Sequence, residues 1–429
     1  MRREASFPTV KAPEPEPSPP GTGAEFDSSV GAPGRPLRVL ALVPDAFGSC
    51  GGIAKFNRDL LTAICAHPGC AEVMAVPRLM QESPGQLPGK LTWITDGLGG
   101  KLQYVAAVLK SLRRKPAGAQ RETARVNPQF STGFDLLICG HINLLPAAFL
   151  ARQLMRPASR SMPGAPCPLV LIIHGLDAWE PHRSLLVRSL TRRVDAFISV
   201  SAFTRDRFLQ WARVPAAKGF PLPNCVDLTG FEPGEKNPEL LKRYGLDGRK
   251  VLMTLGRLLP DRPKGIDEVL ELLPELAKEV PQIAYLIAGD GPDRSRLAAK
   301  AVQLGVGDRV ALAGRVPESE KAAHYRLADA FVMPGYGEGF GIVYLEALAC
   351  GIPVLASMLD ASREALLEGE MGLLVDPRNR AELRRGLLRV LQQPRGRVPP
   401  RLEYFSVPSF ARRCQAIVNA LCPAGGGCS

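Results

Sequence analysis

Apolar residues along this chain come in short unbroken runs, separated by stretches where they recur every three or four positions. In the first half the runs are Arg38–Val43, Glu72–Val76, Asp135–Cys139, Leu169–His174 and Ala196–Val200. Segments of helical period lie between them, at Ile53–Ala66, Lys101–Arg114 and Ala147–Met155. A strand that is apolar throughout is covered on both faces, so its alternation with helices predicts a parallel sheet clad by helices. The pattern lapses over Leu222–Glu239, where turn residues cluster. It restarts with strands at Val251–Leu255, Ile283–Ala288, Arg309–Ala313, Phe331–Met333, Val354–Ala356 and Leu373–Val375. Ile266–Val280 keeps a helical period, and Pro274 predicts a kink within it. The expectation is an α/β chain of two doubly wound domains with a ligand cleft between them, because such sheets bind ligands at the carboxyl ends of their strands. The divisions expected are a disordered Pro- and Gly-rich tail at 1–36, domains at 37–225 and 226–406, an amphipathic helix at 407–421 and a flexible tail at 422–429.

One stretch carries most of the chemistry. Phe331–Ser357 reads FVMPGYGEGFGIVYLEALACGIPVLAS: strand, loop, helix, strand. Gly335, Gly337, Gly339 and Gly341 punctuate the loop, and a helix is predicted over Ile342–Ala349, ended by Gly351 and Pro353. A helix that opens after a Gly-rich loop directs unpaired backbone N–H groups at whatever lies above it, and that end binds anions, phosphates in particular. Glu338 in the loop can meet polar groups beside the phosphates. Glu346, more than one turn into the helix, can accept hydrogen bonds from hydroxyls further along. A phosphate flanked by polyhydroxyl groups is a nucleotide sugar; an ordinary βα unit with solvated acids is the alternative.

Other positions fall at strand ends. Gly51 and Gly52 follow the loop after the first strand, where a βα turn receives phosphate or simply turns tightly. Arg257 and Lys264 follow the first strand of the second domain, placed to neutralise a leaving diphosphate unless they are plain surface charges. His174 ends a buried strand and faces the cleft, or is a satisfied structural histidine.

Composition narrows the classes. The chain is 45% apolar and 22% charged, which suits large globular cores. No apolar run reaches the roughly 18 residues of a membrane span; the longest, Leu136–Leu150, is broken by His141, Asn143 and Pro146. The opening MRREASFPTVKAPEPEPSPP is basic without an apolar stretch behind it, so a signal peptide is not expected and a cytoplasmic location is. Ten scattered cysteines include no C-x-x-C pair, which argues against zinc and thiol-redox motifs. The net charge of +12 favours anionic partners, but aromatic–basic interleaving is absent, so nucleic acid is not expected. The basic segments Lys110–Arg125 and Arg183–Arg193 are solvated faces or, for the leucine-interleaved second, a surface for an anionic membrane. There is no D-x-D for a metal-bridged diphosphate, no strand-linked G-x-G-x-x-G, no P-loop and no G-x-S-x-G elbow.

Taken together, these residues resemble a GT-B glycosyltransferase of the large retaining family 4, glycosyl transferases group 1, which includes bacterial mannosyl- and glucosyltransferases of lipid and polysaccharide assembly. The resemblance spans about Leu37–Leu421 and is strongest in GR…KG (Gly256, Arg257, Lys264, Gly265), IAGDGP (Ile287–Pro292) and PGYGEGFGIVYLEALACGIPVLAS, with seven residues between its two acids. In the first domain only the Gly–Gly turn, His174–Gly175 and Ser201–Phe208 match. The resemblance implies two Rossmann-like domains, an N-terminal one for the acceptor and a C-terminal one for the nucleotide sugar, with the last helix crossing back. It implies that Arg257 and Lys264 hold the diphosphate, that Glu338 contacts the donor sugar, and that Glu346 holds the ribose. It further implies that amides of Gly339, Phe340, Gly341 and Ile342 cap sugar and phosphate oxygens, that Gly51 and Gly52 reach the phosphate, and that the His174 backbone meets the sugar. No cofactor and no metal are implied. The expected reaction is retaining transfer of a hexose, UDP- or GDP-linked, to a lipid-linked or polysaccharide hydroxyl; the alternative is a non-catalytic glycosyltransferase-like binding or scaffold protein.

Overall fold

The computed structural model describes residues 36–114, 133–155, 167–260 and 264–423. Two sheets form there, each parallel throughout. The first contains β1 (Leu37–Val43), β2 (Cys70–Pro77), β3 (Leu91–Trp93), β4 (Leu136–Cys139), β5 (Leu169–Ile173), β6 (Ala196–Ser199) and β7 (Gly219–Pro221). The second contains β8 (Lys250–Leu255), β9 (Ile283–Ala288), β10 (Val310–Gly314), β11 (Ala330–Met333), β12 (Val354–Ser357) and β13 (Leu373–Val375). Their orders are β3-β2-β1-β4-β5-β6-β7 and β10-β9-β8-β11-β12-β13. Strand order therefore reverses at β1/β4 and at β8/β11, the places where crossover helices part to opposite faces and leave a crevice beyond the strand ends.

The apolar runs explain the sheets. Every residue of β1 is buried, including Arg38. That arginine lies opposite Glu72 on β2 and pairs with it at 3.0 Å, while its backbone N–H donates to Asp135 at 2.8 Å. One continuous apolar cluster passes from Phe56 and Leu60 through Leu222 and Phe405 to Phe331 and Phe340, so the two halves share a core. Separate clusters fill the outer face of each sheet.

The chain passes between the sheets at two adjacent places. Val226 and Ser406 form an isolated parallel bridge, and the Val226 N–H donates to the Phe405 carbonyl at 2.9 Å. After the second passage Ser406 caps the helix Val407–Leu421 by accepting from the Ser409 N–H. This helix packs on Gly52–Cys65, with Phe410 edge-on to Phe56 at 5.8 Å between centroids and Cys414, Ile417 and Val418 buried.

Several details depart from the sequence expectation. Strands β3 and β7 were not foreseen; each has three residues and sits at a sheet edge, with too little apolar content to read as a run. The helix Ile266–Glu279 spans Pro274, as its helical period predicts, with six buried apolar side chains from Ile266 to Leu276 against the sheet. Cys422, assigned to a flexible tail, is only 8% exposed and its thiol donates to the Asp135 carbonyl at 3.5 Å. The tail at 1–35, the end at 424–429 and the basic stretch 115–125 lie outside the described residues. The described cysteines are free, and all but Cys50 are buried. No helix among the described residues is long and apolar enough to cross a membrane.

The packing of the last helix makes a stability prediction. Phe410 is 1% exposed, so Phe410→Ala should cost about 3–5 kcal/mol in urea unfolding. Val407→Ala on the same helix, where the side chain is 42% exposed, should cost at most about 0.5 kcal/mol. Equal losses in the two variants would show that the helix is not held by this contact.

Candidate functional site

The carboxyl ends of both sheets open on one cavity of about 530 Å³. Ten of the eleven residues expected at the site line it: Gly51, Gly52, His174, Arg257, Lys264, Glu338, Gly339, Phe340, Gly341 and Ile342. Glu346 does not. Each lining residue lies in a loop or helix opening that follows the carboxyl end of a strand. Gly51 precedes the helix Gly52–Cys65 with φ 105°, and Arg257 follows β8. The Arg257 guanidinium comes so near Gly51 that a Cβ there would lie 3.6 Å from it, which joins the two halves across the crevice.

The loop after β11 is fixed by its neighbours. Lys264 Nζ pairs with Glu338 Oε1, both side chains being 18% exposed. The Glu338 N–H donates to Asp360 Oδ2 at 2.9 Å. Asp360 also accepts at Oδ1 from the hydroxyl of Ser362 at 2.6 Å and its N–H at 3.0 Å. Burial pushes the Asp360 carboxyl up to about 6. At Gly339 the backbone meets the other half directly, for a Cβ there would stand 2.0 Å from the His174 carbonyl oxygen. Gly341, at φ 89°, turns the chain into the helix Ile342–Ala349 and directs that helix's opening toward the cavity. Phe340 turns its ring onto Phe405, 5.5 Å away.

His174 is held by its surroundings. Its Nε2 lies 2.9 Å from the Gly140 carbonyl, its N–H donates to Asp177 at 3.2 Å, and its ring packs edge-on to Phe56. Burial, helped by the His141 ring stacked 6.3 Å away, pushes its pKa down to about 3, so the imidazole is neutral and its Nε2–H is committed to a carbonyl. The part it presents to Gly339 is its backbone oxygen.

Glu346 lies behind the wall. Its side chain is wholly buried; Oε2 accepts from the Tyr325 hydroxyl at 2.8 Å, and Oε1 lies 3.4 Å from Lys321 Nζ. Burial pushes its pKa up, opposed by the Lys321 charge. Lys321, which does line the cavity, also pairs with Glu318 at 3.0 Å. Burial lowers the Lys321 pKa, but the two carboxylates outweigh it and hold the ammonium on balance above its ordinary value.

Sequence reasoning missed several of these groups. Lys55 and Arg58 line the cavity from the first helix, and the i,i+4 pair Lys55–Asp59 at 2.8 Å was a readable signal. Lys321 and Asp360 gave none, since nothing in their own segments shows what they face. The arrangement can hold a diphosphate between Arg257, Lys264 and two helix openings, with a carboxylate beside it for a sugar hydroxyl.

The comparisons agree with this geometry. Residues 227–404 match the family described as Glycosyl transferases group 1, and residues 77–229 match Glycosyltransferase Family 4. The chain is 38% identical over 219 residues to a GDP-mannose-dependent alpha-(1-6)-phosphatidylinositol monomannoside mannosyltransferase of Mycolicibacterium smegmatis, a match covering 48% of this chain and 56% of that protein. It is 35% identical over 176 residues to the alpha-monoglucosyldiacylglycerol synthase of Streptococcus pneumoniae, covering 40% of this chain and 39% of that one. The match thus spans about half or less of the length of these curated relatives. The crystal structure of Anabaena HepE in complex with UDP-glucose superposes with TM-score 0.58 at 20% identity, covering 90% of this chain and 95% of that chain, and bears on the fold alone.

Asp360 supplies the prediction here. Its folded pKa, about 6, lies above its ordinary 3.8, so its contribution to stability is present below pH 4 and lost as pH rises through 6. That rise corresponds to about 3 kcal/mol. Between pH 4 and 7 the wild type should lose up to about 3 kcal/mol of unfolding free energy relative to Asp360→Asn. Parallel pH profiles would contradict the assignment.

Proposed function

We propose that this chain, which belongs to the glycosyltransferases of family 4 and group 1 with the GT-B fold, transfers a hexose from a nucleotide diphosphate sugar to a hydroxyl of a lipid-linked acceptor, with retention and without a metal. The observation that carries the reading is the convergence of Arg257, Lys264 and Glu338 on the Gly51–Gly52 helix opening, all in one cavity. Two cations and two sets of unpaired amides suit a diphosphate, and a carboxylate one step along suits a sugar.

The transfer follows from that placement. The bond from the sugar's anomeric carbon to the diphosphate oxygen breaks, and negative charge builds on the diphosphate. Arg257 and Lys264 are fixed at β8's carboxyl end to meet it. The acceptor oxygen bonds to the same carbon from the face the diphosphate leaves, and its proton passes to a departing phosphate oxygen. The neutral His174 ring takes no proton in this scheme; its backbone oxygen and the Glu338 carboxylate orient the sugar. Lys321, backed by the buried Glu346, stands in the far wall of the donor pocket, where ribose hydroxyls would lie. The relatives' printed activities favour GDP-linked mannose, or glucose, as the transferred hexose and a glycolipid acceptor.

A lipid acceptor is favoured by one further observation. Adjacent helices Leu145–Leu154 and Leu185–Thr191 expose Leu154, Leu185 and Leu186 at 57, 76 and 58%, with Arg183, Arg192 and Arg193 exposed around the second. Leucines flanked by arginines suit the interface of an anionic membrane.

Three measurements check these points. Lys264→Ala should lower kcat by about a hundredfold or more, the size of losing one preorganised charge-stabilising donor; an unchanged kcat would remove Lys264 from the mechanism. Transfer should persist in excess chelator, and its abolition would contradict the metal-free reading. Replacing Leu185 and Leu186 by Ser and Arg192 and Arg193 by Glu should weaken binding to phosphatidylglycerol vesicles by about tenfold or more. Undiminished vesicle binding would exclude this face.

A further inference from the structure

A carboxylate of the second half grips a helix of the first. Glu364 lies in the short helix Ser362–Ala365, after β12. Its Oε2 accepts from the Ala202 N–H and its Oε1 from the Phe203 N–H, each at 2.7 Å. These are the opening amides of the helix Ala202–Ala212, which otherwise have no partner within that helix. The cap of the same helix also reaches across. The Ser201 hydroxyl accepts from the Thr204 N–H at 3.1 Å and donates to the Gly339 carbonyl at 2.8 Å. The Thr204 hydroxyl donates to that carbonyl at 3.4 Å.

The far side of the same turn holds the sugar-facing loop, since Asp360 binds the Glu338 N–H at 2.9 Å. Only three residues therefore separate the group that fixes Glu338 from the group that fixes the opposing half. Gly339 lies between them and has no space for a Cβ against the His174 carbonyl. At this point the two halves are joined by a pair of carboxylate–amide hydrogen bonds as well as by close backbone packing.

We propose that the Asp360–Glu364 turn is the register of the cleft: Glu364, gripping the helix that opens at Ala202, is a positioning residue that sets the His174–Gly175 wall against the Glu338–Gly339 loop. The proposal rests on the glycosyl-transfer reading for its kinetic part only. Arg257, Lys264 and the helix opening at Ile342 stand on the second half, so loss of Glu364 leaves most of the nucleotide's contacts in place and shifts only those of the Gly51–Gly52 opening. What is lost is alignment of the first half for transfer, and geometry of that kind appears in kcat.

The test compares wild type with Glu364→Ala, Glu364→Gln and Ser201→Ala. Glu364→Ala should lower kcat about ten- to a hundredfold, the size of losing hydrogen bonds to a charged group, while the Kd for GDP or UDP by calorimetry shifts less than about threefold. Glu364→Gln, which keeps one acceptor oxygen, should recover part of the rate. Losses in the Glu364→Ala, Ser201→Ala double variant should fall short of the product of the single losses, since both residues hold one joint. Amide exchange at Ala202 and Phe203 should quicken in Glu364→Ala, and small-angle scattering with saturating nucleotide should give a larger radius of gyration than wild type. Faster exchange at those two amides with unchanged kcat and radius would make Glu364 a helix cap only and overturn the proposal, as would parallel losses in kcat and nucleotide affinity. If wild type transfers no sugar, the functional reading fails by itself; exchange and scattering then decide the register, and identical radii overturn it. Should Glu364→Ala not fold, Glu364→Gln and Ser201→Ala carry the same comparisons.

Discussion

Two stretches of backbone pass so closely at Gly339 and His174–Gly175 that a side chain on either glycine would strike the opposite chain. This approach is the constraint on which the cleft depends. It brings the carboxyl ends of two separately wound sheets to a common point and leaves the space beside it open. Hydrogen bonds hold it from both directions: Ser201 and Thr204 on the Gly339 carbonyl, Asp360 on the Glu338 amide, Glu364 on the opening of the facing helix. Chain crossings at Val226 and Ser406, bonded side by side, limit how the halves swing.

Electrostatics then decides what the space can accept. Lys264 is paired with Glu338, Lys321 with Glu318 and Glu346, and Lys55 with Asp59, so these cavity cations already lean on carboxylates. Arg257 extends toward Gly51, and Lys55 adds its charge from the first helix. In a partly enclosed cavity such charges are weakly screened, and a doubly charged diphosphate placed there would gain from them what water otherwise supplies. The buried Glu346 cannot stand alone in this setting. Tyr325 and Lys321 satisfy it, and through them its charge reaches the wall without its oxygens being exposed.

Much of this was readable in the chain before folding was considered. Unbroken apolar runs such as LRVLALV can only be central parallel strands, and the Gly-rich loop before Ile342 fixes a helix opening at a strand end. The cavity's wall residues followed from those two facts, because strand ends in such sheets converge. What escaped was set by partners distant in sequence. Asp360 bears on Glu338 from 22 residues away, and Glu364 on Ala202 from 162. The edge strands β3 and β7 exist only because a neighbour offers them hydrogen bonds.

The sequence by itself determined the two α/β halves, the family resemblance and most of the cavity-lining residues, since each rests on local pattern: period, glycine placement and the spacing of Glu338 and Glu346. Tertiary structure decided how those residues present themselves. It turned His174's ring to the Gly140 carbonyl and its backbone to Gly339, and it sank Glu346 behind Lys321 and Tyr325. It also tied the opening of one helix to a carboxylate in the other half. Side-chain direction and burial come from packing between segments far apart in the chain, and no spacing along a single segment encodes them.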